Sequence, residues 1–337
     1  MRPNATATAT ATATGTAATV ALALLAGSIL VGTAPAIAQT YPAKPIRLIL
    51  PFTAGIGTDV FARKIAPLMG DSLGQAVIAE NRTGASGAIG AEAVYKAAAD
   101  GYTLLFSSAS PTVALPHTMK DLPYDPNGFT PIMAALEPLI VIVIRPALPV
   151  NSMREFIEHA KRNPGKLSYG SSGIGSTFHM FGASLNQTAG IDILHVPYKG
   201  TNLGVNDIMA GLLDMGFGSL AGIGPLIKGG KVRAIAILGQ KPASVMADLP
   251  AVTEVVPGVN VSPGWFAFWG PPSLPLSIVR RIHLELLKAM NTAEMKTWYD
   301  SNGFAYLGTS PEELRMMQKV GLESYGRMLK SLNIKTE

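Results

Sequence analysis

The sequence predicts an α/β protein in which mainly parallel sheets are flanked by helices. From Tyr41 onward, short apolar segments of strand length alternate with helical segments, and this alternation is typical of parallel sheets. The chain has 337 residues, 48% of them hydrophobic, which is enough for about two domains. Four polar loops each follow a predicted strand, and ligands of such sheets bind at the carboxyl ends of the strands. We therefore expect one cleft between two halves, formed by residues 52–59, 107–111, 171–176 and 198–202.

The first 38 residues have the features of an export signal. Arg2 is the only charged residue before Lys44, and an apolar stretch runs from about Ala17 to Val31. Ala36-Ile-Ala38 matches the small-residue pattern of a cleavage site. The alternative is a membrane anchor that stays uncut, but this stretch is shorter than the roughly 20 residues that a span needs. We expect cleavage after about Ala38 and a periplasmic mature protein.

Composition excludes several classes of site. The 27 basic and 22 acidic residues give a formal charge of +5 at pH 7 and form no Lys/Arg run, so no nucleic-acid partner is expected. The sequence has no cysteine, which excludes disulfides, thiolate metal ligands and a cysteine nucleophile. No two of the five histidines are four residues apart. We therefore expect neither a metal site nor a cofactor.

The first strand, loop and helix form a unit suited to anion binding. Ile46 to Phe52 is an apolar run of strand length. Gly55 and Gly57 follow, and backbone without Cβ atoms can approach a ligand closely. A helix then begins at Thr58 or Asp59, and unpaired N–H groups at a helix N-terminus attract anions. Its apolar residues recur at helical spacing: Phe61, Ile65, Leu68 and Met69.

A second unit of this kind occurs in the other half of the chain. The segment Leu167–Tyr169 leads into a glycine- and serine-rich loop, Gly170–Ser176, and a helix follows. Further strands are predicted at Ala76–Ala79, Thr103–Ser107, Ile140–Ile144, Ile193–Tyr198, Asp214–Phe217 and Val232–Leu238. Further helices are predicted at Ala91–Ala98, Ser152–Asn163, Val205–Leu213, Ile278–Met290 and from Ser310 onward. Segments rich in proline and glycine cover residues 240–275.

Motifs of familiar catalytic sites do not occur in the sequence. Gly170-Ser-Ser-Gly173 is not the G-x-S-x-G of a nucleophile elbow. Gly173-Ile-Gly175 lacks the third glycine of a dinucleotide site. An exported enzyme acting on a small carboxylate would use Ser172 and His179, but no orienting acid lies near them in sequence. A binding protein without catalytic activity is therefore the favoured hypothesis.

Many short motifs follow one another in a fixed order along the mature chain. They are Tyr41-Pro-x-Lys-Pro-Ile-Arg47, Pro51-Phe-x-Ala-Gly-x-Gly-Thr-Asp59, Glu80-Asn-Arg82 with Gly84, Gly90-Ala-Glu92, Asp100-Gly-Tyr-Thr-Leu-Leu105, Tyr124-Asp-Pro126, Gly170-Ser-Ser-Gly-x-Gly-Ser176 with His179, and Val196-Pro-Tyr-Lys-Gly200. In these motifs the chain resembles the Bug/TctC family of extracytoplasmic solute receptors, which serve tripartite tricarboxylate transporters. The resemblance covers essentially the whole mature chain.

The resemblance implies a two-lobed periplasmic binding protein of the type II kind that closes on a small organic carboxylate. We expect lobe I at residues 39–144 and 240–337, lobe II at residues 145–239, and hinges near Ile144–Pro146 and Leu238–Pro242. In this family the first loop and the loop before the second-lobe helix hold a carboxylate through amides, hydroxyls and bridging waters. The expected partners are that carboxylate and the permease subunits of a tripartite transporter. A ligand-sensing accessory of a membrane sensor kinase is an alternative, and we expect a monomer.

The candidate ligand-binding residues lie on the four loops. They are Phe52, Thr53, Ala54, Gly55, Ile56, Asp59, Ser108, Ser110, Ser171, Ser172, Gly173, Ser176, His179, Tyr198 and Lys199. Ile56 departs from the family, which usually has two adjacent glycines here. A β-branched residue would be strained at a positive φ, so we expect Ile56 to reshape the loop and to favour a less polar ligand.

Several of these residues have a second interpretation. The alternative for Asp59 is an acid that stabilises the start of a helix, and the alternative for Ser176 is an N-cap. Neither residue is assigned to one role by the sequence. Lys199 is equally a solvated charge. His179 lies in a first helical turn, where the dipole disfavours the imidazolium, so a neutral packed histidine is the better interpretation. Tyr198 follows a strand, and we favour a position in the cleft.

Overall fold

A computed structural model describes residues 41–55, 57–239, 243–261 and 264–332. The expected export signal at residues 1–38 and the candidate ligand residue Ile56 lie outside the described residues. Within the described ranges, no helix combines the length and the apolar character that a membrane span requires. The α/β class predicted from the sequence is confirmed, since two sheets are flanked by helices.

Eleven strands and eleven α-helices make up the described residues. The strands are β1 (Ile46–Leu50), β2 (Val77–Asn81), β3 (Thr103–Ser108), β4 (Thr130–Pro138), β5 (Ile140–Ile144), β6 (Leu167–Ser171), β7 (Ile193–Pro197), β8 (Met215–Ser219), β9 (Arg233–Ile237), β10 (Phe266–Gly270) and β11 (Phe304–Tyr306). The helices are α1 (Gly57–Leu73), α2 (Ala88–Tyr95), α3 (Leu115–Thr118), α4 (Met153–Arg162), α5 (Thr177–Ala189), α6 (Thr201–Met209), α7 (Leu220–Lys228), α8 (Val252–Val255), α9 (Leu276–Met290), α10 (Ala293–Asn302) and α11 (Pro311–Leu332).

Both sheets are mixed, which corrects the prediction of mainly parallel sheets. The first sheet has the order β11-β4-β10-β3-β1-β2, and the second has the order β7-β6-β8-β5-β9. β1 is parallel to β2 and β3, and β6 is parallel to β7 and β8. β10 is antiparallel to β3 and β4, and β5 is antiparallel to β8 and β9. β4, β10 and β11 were not predicted from the sequence, and they bring antiparallel pairing into the first sheet.

The apolar run of the first strand explains its position at the centre of a core. Ile46, Leu48 and Leu50 are fully buried and share one hydrophobic cluster with Phe61 and Ile65 of α1. Each such side chain stabilises the fold by roughly 1.5–3 kcal/mol when it leaves water. The position of the loop between β1 and α1 is therefore fixed by packing on both sides.

Leu139 is the point where the chain first crosses between the sheets. β4 belongs to the first sheet and β5 to the second, with Leu139 alone between them. Its amide donates to the Gly303 carbonyl at 2.7 Å, and its carbonyl accepts from the Leu220 amide at 2.9 Å. β5 had been expected in lobe I, ending at a hinge near 144. Its pairing with β8 and β9 places the crossing five residues earlier.

The second crossing lies later than expected. Val252, Val256 and Val259 pack into the core of the second sheet, and the Asn260 amide donates to Ser184 Oγ of α5 at 2.9 Å. β10, which begins at Phe266, belongs to the first sheet. The chain therefore returns between residues 260 and 266, and not at the expected 238–242.

The last helix, α11, contacts both parts of the chain. It packs on β4 of the first sheet and on α5. The Tyr325 hydroxyl, which is buried, donates to the Gly175 carbonyl of the second-sheet loop at 2.6 Å. Near the end of the helix, Gln187 Nε2 of α5 donates to the Ser331 carbonyl at 3.3 Å.

Candidate functional site

A cavity of about 770 Å³ lies between the facing edges of the two sheets. Residues from loops after β1, β3 and β6 line it, together with the starts of β5, β10 and β11. Of the candidate residues in the described ranges, five line this cavity: Phe52, Gly55, Ser108, Ser110 and Ser172. A volume of this size is within the usual range for a small-molecule site.

The first loop is held in shape by Asp59. Gly55 has a φ of +83°, which suits glycine, and its amide donates to Asp59 Oδ2 at 2.9 Å. Arg63 Nε donates to both oxygens of that carboxylate, and Asn81 Nδ2 donates to Oδ1, all at 3.0 Å. Burial would raise the pKa of Asp59, but these hydrogen bonds outweigh it and hold the pKa below its ordinary value. Asp59 thus supports the loop and does not line the cavity.

Two buried hydroxyls on the cavity wall have no hydrogen-bond partner within the described residues. They are Thr58 Oγ1, on a residue only 1% exposed, and Ser110 Oγ, on a residue 3% exposed. Both residues line the cavity. Buried polar groups are nearly always paired in proteins, so these two hydroxyls are candidates for a hydrogen bond to a bound molecule. Thr58 lies in the first turn of α1, where backbone N–H groups are also free of intrahelical partners.

Gly57 allows the second-sheet side of the cavity to approach the first loop. A Cβ atom on Gly57 would lie 2.5 Å from Ser219 Oγ and 3.3 Å from the Phe266 ring. Ser219 Oγ accepts from the Gly222 amide and so caps α7. Gly57, Ser219 and Phe266 all line the cavity.

The loop after β6 uses most of its serines for its own structure. Ser171 Oγ donates to the Gly173 carbonyl at 3.0 Å and accepts from the Gly173 amide at 3.1 Å. Ser176 Oγ accepts from the His179 amide, so Ser176 is the N-cap of α5. Ser172 alone of this group lines the cavity. The structural interpretation of Ser176 is the one that the geometry favours.

His179 and His195 form a stacked pair beside that loop. Their ring centroids are 4.0 Å apart and the planes differ by 11°. The Gly175 amide donates to His179 Nδ1 at 3.0 Å, and His195 Nε2 lies 2.6 Å from Ser171 Oγ. Burial lowers the pKa of His179. Burial, and after it the charge of His179, lowers the pKa of His195 to about 4. Both rings are therefore neutral near pH 7 and act as supports of the loop.

Tyr198 and Lys199 do not line the cavity. The Tyr198 hydroxyl donates to Asp207 Oδ2 at 2.7 Å, and its ring packs against the hydrophobic cluster of β5 and α6. Burial and this hydrogen bond raise the pKa of Tyr198 to about 12. Lys199 is exposed. The cleft position favoured for Tyr198 is therefore replaced by a packed one.

Thr53 and Ala54 contact the opposite side of the cleft instead of the cavity. Thr53 Oγ1 donates to Asn202 Oδ1 at 2.5 Å, and Asn202 Nδ2 donates to the Ala54 carbonyl at 3.3 Å. A second contact joins Ser86 Oγ to the carbonyls of Ser172 and Ile174 at 3.5 and 3.4 Å. These hydrogen bonds connect segments that flank different sheets, so the two sides of the cleft contact each other.

Several lining residues were missed by the sequence analysis. Thr58 was taken as a helix start only, and Asn202 lay in a predicted loop but was not chosen as a ligand residue. Phe266 lay in the segment described as rich in proline and glycine. Among the described residues that line the cavity, none is a lysine or an arginine. No group of three potential metal ligands occurs in the described part of the chain.

Comparisons with known proteins agree with this architecture. A family model described as the tripartite tricarboxylate transporter family receptor matches residues 61–334. Protein BugT of Bordetella pertussis is 32% identical over 284 residues, which cover 84% of this chain and 87% of that protein.

Solved structures with the same fold include proteins with bound acids. The periplasmic binding protein BugD has a TM-score of 0.83 at 29% identity, covering 88% of this chain and 100% of that one. An R. palustris protein with adipate has a TM-score of 0.84 at 28% identity, covering 87% and 99%. MatC from Rhodopseudomonas palustris with bound malate has a TM-score of 0.80 at 25% identity, covering 86% and 100%.

Proposed function

The chain belongs to the tripartite tricarboxylate transporter family of receptors, and we propose that it captures a small organic carboxylate in the cavity and delivers it to a membrane permease. Relatives of the same fold are named as periplasmic, and two have been solved with adipate and malate. In this proposal the mature protein works in the periplasm after loss of the export signal. The permease subunits of a tripartite transporter are its partner, and the receptor acts as a monomer.

The observation that carries the proposal is the pair of unpartnered hydroxyls, Thr58 Oγ1 and Ser110 Oγ. Both are hydrogen-bond donors on the wall of one cavity. A carboxylate is an acceptor with two oxygens, and hydrogen bonds to an ionised acceptor are stronger than neutral ones. The amino end of α1 adds a favourable dipole. A carboxylate at this position would pair both hydroxyls without a cationic side chain.

Closure around the ligand follows from the two sheets and the two crossings. We take lobe I as residues 41–138 and 264–332 and lobe II as residues 140–261. The contacts of Thr53 with Asn202 and of Ser86 with the loop after β6 join these lobes. A ligand that touches both lobes would add to these contacts and shift the population toward the closed form. The first hinge then lies at Leu139, and the second lies between Val261 and Gly264.

The enzyme alternative finds little support in the geometry. Its candidate catalytic residues were Ser172 and His179, but His179 Nδ1 already accepts a hydrogen bond from the Gly175 amide. The imidazole that lies beside a serine is His195, and its partner Ser171 is buried and bonded to Gly173. A serine nucleophile needs a base within hydrogen-bond reach and an exposed oxygen. We therefore propose a receptor without catalytic activity.

Native mass spectrometry of the purified mature protein tests the proposal, because it detects a co-purifying acid directly. A panel of carboxylates is then added to ligand-free protein, and the melting temperature is followed. Stabilisation by at least one carboxylate, with the acid recovered unchanged, is the expected result. Stabilisation only by neutral or cationic compounds, or recovery of a converted product, would contradict the proposal.

A further inference from the structure

The cavity wall changes from polar to apolar along the edge of the second sheet. β6, β8 and β9 all end at this edge and β5 begins there, because β5 is antiparallel to β8 and β9 while β6 is parallel to β8. The lining residues met in spatial order are Ser172, Ser219, Ile140 and Leu238. Neighbouring strands are about 4.8 Å apart, so three spacings span roughly 14 Å.

The edge of the first sheet changes in the same way. Ser108 ends β3 and pairs with Phe266, the first residue of β10. Phe266 also pairs with Leu136 of β4, and Phe304 of β11 pairs with Pro138. Phe266, Pro138 and Phe304 line the cavity beyond the serines. Since Pro138 and Ile140 flank the crossing residue Leu139, the apolar ends of both edges meet at the same place.

Helix α7 and the segment after β9 extend this apolar end. Ile223 and Leu226 of α7, together with Val245, line the cavity there. The polar end, in contrast, contains the two hydroxyls of Thr58 and Ser110 that have no partner. The site therefore has unpaired hydroxyls at one end, and apolar side chains predominate on the wall that leads away from them.

The charges at the apolar end oppose a second carboxylate. Glu137 of β4 and Asp300 of α10 line the cavity on this side. No lysine or arginine lines the cavity within residues 41–55, 57–239, 243–261 and 264–332. A second carboxylate placed there would lose hydration against apolar side chains and would lie beside two acidic residues, Asp300 and Glu137, with burial raising the pKa of Glu137.

We infer that the ligand is a monocarboxylate with an apolar body of six or more carbon atoms. Its carboxylate pairs with Thr58 and Ser110, and its body lies along Phe266, Ile140 and Leu238 toward the crossing. This inference rests on the proposed function, since it assigns the class of carboxylate that the receptor takes. It excludes dicarboxylates and small hydroxy acids as the preferred ligands.

Three acids of equal chain length test the inference by isothermal titration calorimetry. Hexanoate, adipate and 6-aminohexanoate share the carboxylate and differ only at the far end, which is a methyl, carboxylate or ammonium group. We expect hexanoate to bind at least tenfold more tightly than adipate. Octanoate should bind more tightly again, by up to about fourfold for each added CH₂ group. Tighter binding of adipate or of 6-aminohexanoate would overturn the inference.

A positive charge introduced at the apolar end tests the same preference from the side of the protein. Leu226→Lys places a cation on the cavity wall, and Leu212→Lys places one at a residue of the same lobe that is 75% exposed and does not line the cavity. The first variant should raise the affinity for adipate, relative to that for hexanoate, at least tenfold. The second variant should leave this ratio of affinities unchanged. Equal ratios in both variants would contradict the inference. If L226K does not fold, the wild-type comparison of the three acids decides alone.

The outcomes separate this inference from the proposed function. Binding of adipate in preference to hexanoate would contradict this inference, but it would still support a receptor for carboxylates. Failure of every carboxylate to bind would contradict the proposed function itself.

Discussion

Thr53 and Asn202 meet across the cleft, with Thr53 Oγ1 donating to Asn202 Oδ1 at 2.5 Å. The same amide donates from Nδ2 to the Ala54 carbonyl. Thr53 follows a strand of the first sheet and Asn202 lies at the start of α6 beside the second. A single side chain thus joins the first loop to a helix beside the second sheet.

Replacing Asn202 by alanine should weaken ligand binding by destabilising the closed form. The two lost hydrogen bonds contribute about 0.5–1.5 kcal/mol each, or about 1–3 kcal/mol together, which corresponds to an affinity loss of about fivefold to 150-fold. Small-angle scattering should show less compaction at a given ligand concentration. Asn151→Ala, at an exposed residue that does not line the cavity, is the control. Equal affinity in N202A and N151A would contradict the role of this contact.

Thr58→Val should affect stability and affinity in opposite directions. The hydroxyl has no partner within the described residues, so its replacement by a methyl group of similar shape leaves the unfolding free energy unchanged or raises it by about 1 kcal/mol. Ligand affinity should fall about tenfold, because a donor to the carboxylate is lost. Ser110→Ala should lower affinity in the same way.

Chemical denaturation and calorimetry on the same samples check the Thr58 prediction. Thr297→Val serves as control, since Thr297 is an exposed helical threonine away from the cavity wall. A loss of stability in T58V together with unchanged affinity would indicate a structural hydroxyl and would remove Thr58 from the site.

Asp59→Asn should lower stability because the carboxylate accepts hydrogen bonds from Gly55, Arg63 and Asn81. Loss of these charge-assisted bonds in a buried position costs about 1–3 kcal/mol. The pKa of Asp59 is held below its ordinary 3.8, so its contribution is complete above that value and is lost as the pH falls through the folded pKa. Urea unfolding between pH 3 and 6 should show a smaller acid-dependent loss in D59N than in the wild type.

His195 should make the protein less stable in mild acid. Its pKa is lowered from 6.5 to about 4 in the folded state, so the unfolded chain binds the proton first. The stability that neutral His195 provides is complete above pH 6.5 and falls as the pH decreases from 6.5 to about 4. His195→Gln should reduce the pH dependence of the unfolding free energy in this window by about 2 kcal/mol, less than the full pKa shift would give because the ring is partly exposed to solvent.

His159→Gln is the control for the His195 prediction, because His159 lies on α4 and not beside the loop after β6. The expected result is a wild-type pH dependence in H159Q and a weaker one in H195Q. Identical curves for H195Q and the wild type between pH 4 and 6.5 would show that His195 does not titrate in this way.

Local patterns were enough to predict the two strand–loop–helix units. The apolar run at Ile46–Leu50, the glycine loop and the periodic helix after it lie next to one another in sequence, so one short window contains the strand, the turn and the helix start. The loop before α5 was predicted for the same reason, including the N-cap role of Ser176 as one of two interpretations.

Features that depend on distant partners were not predicted. β10 is an apolar segment, Phe266–Gly270, but it becomes a central strand only because β3 and β4, more than a hundred residues earlier, lie on either side of it. Sheet membership of β5 likewise depends on β8 and β9. The packed position of the Tyr198 side chain depends on its hydrogen bond to Asp207, which lies on the next helix, α6. Unpaired hydroxyls such as Thr58 Oγ1 cannot be recognised from sequence, because their lack of partners is a property of the folded chain.

The central claim is that a carboxylate binds at Thr58 and Ser110 and leaves unchanged. A titration of ¹³C-carboxyl-labelled hexanoate and adipate, followed by ¹³C NMR on the wild type and on the T58V/S110A double variant, tests it most directly. We expect a bound carboxyl resonance in the wild type, a much weaker one in the double variant, and the original free resonance after release. Equal bound signals in both proteins, or a new product resonance, would contradict it.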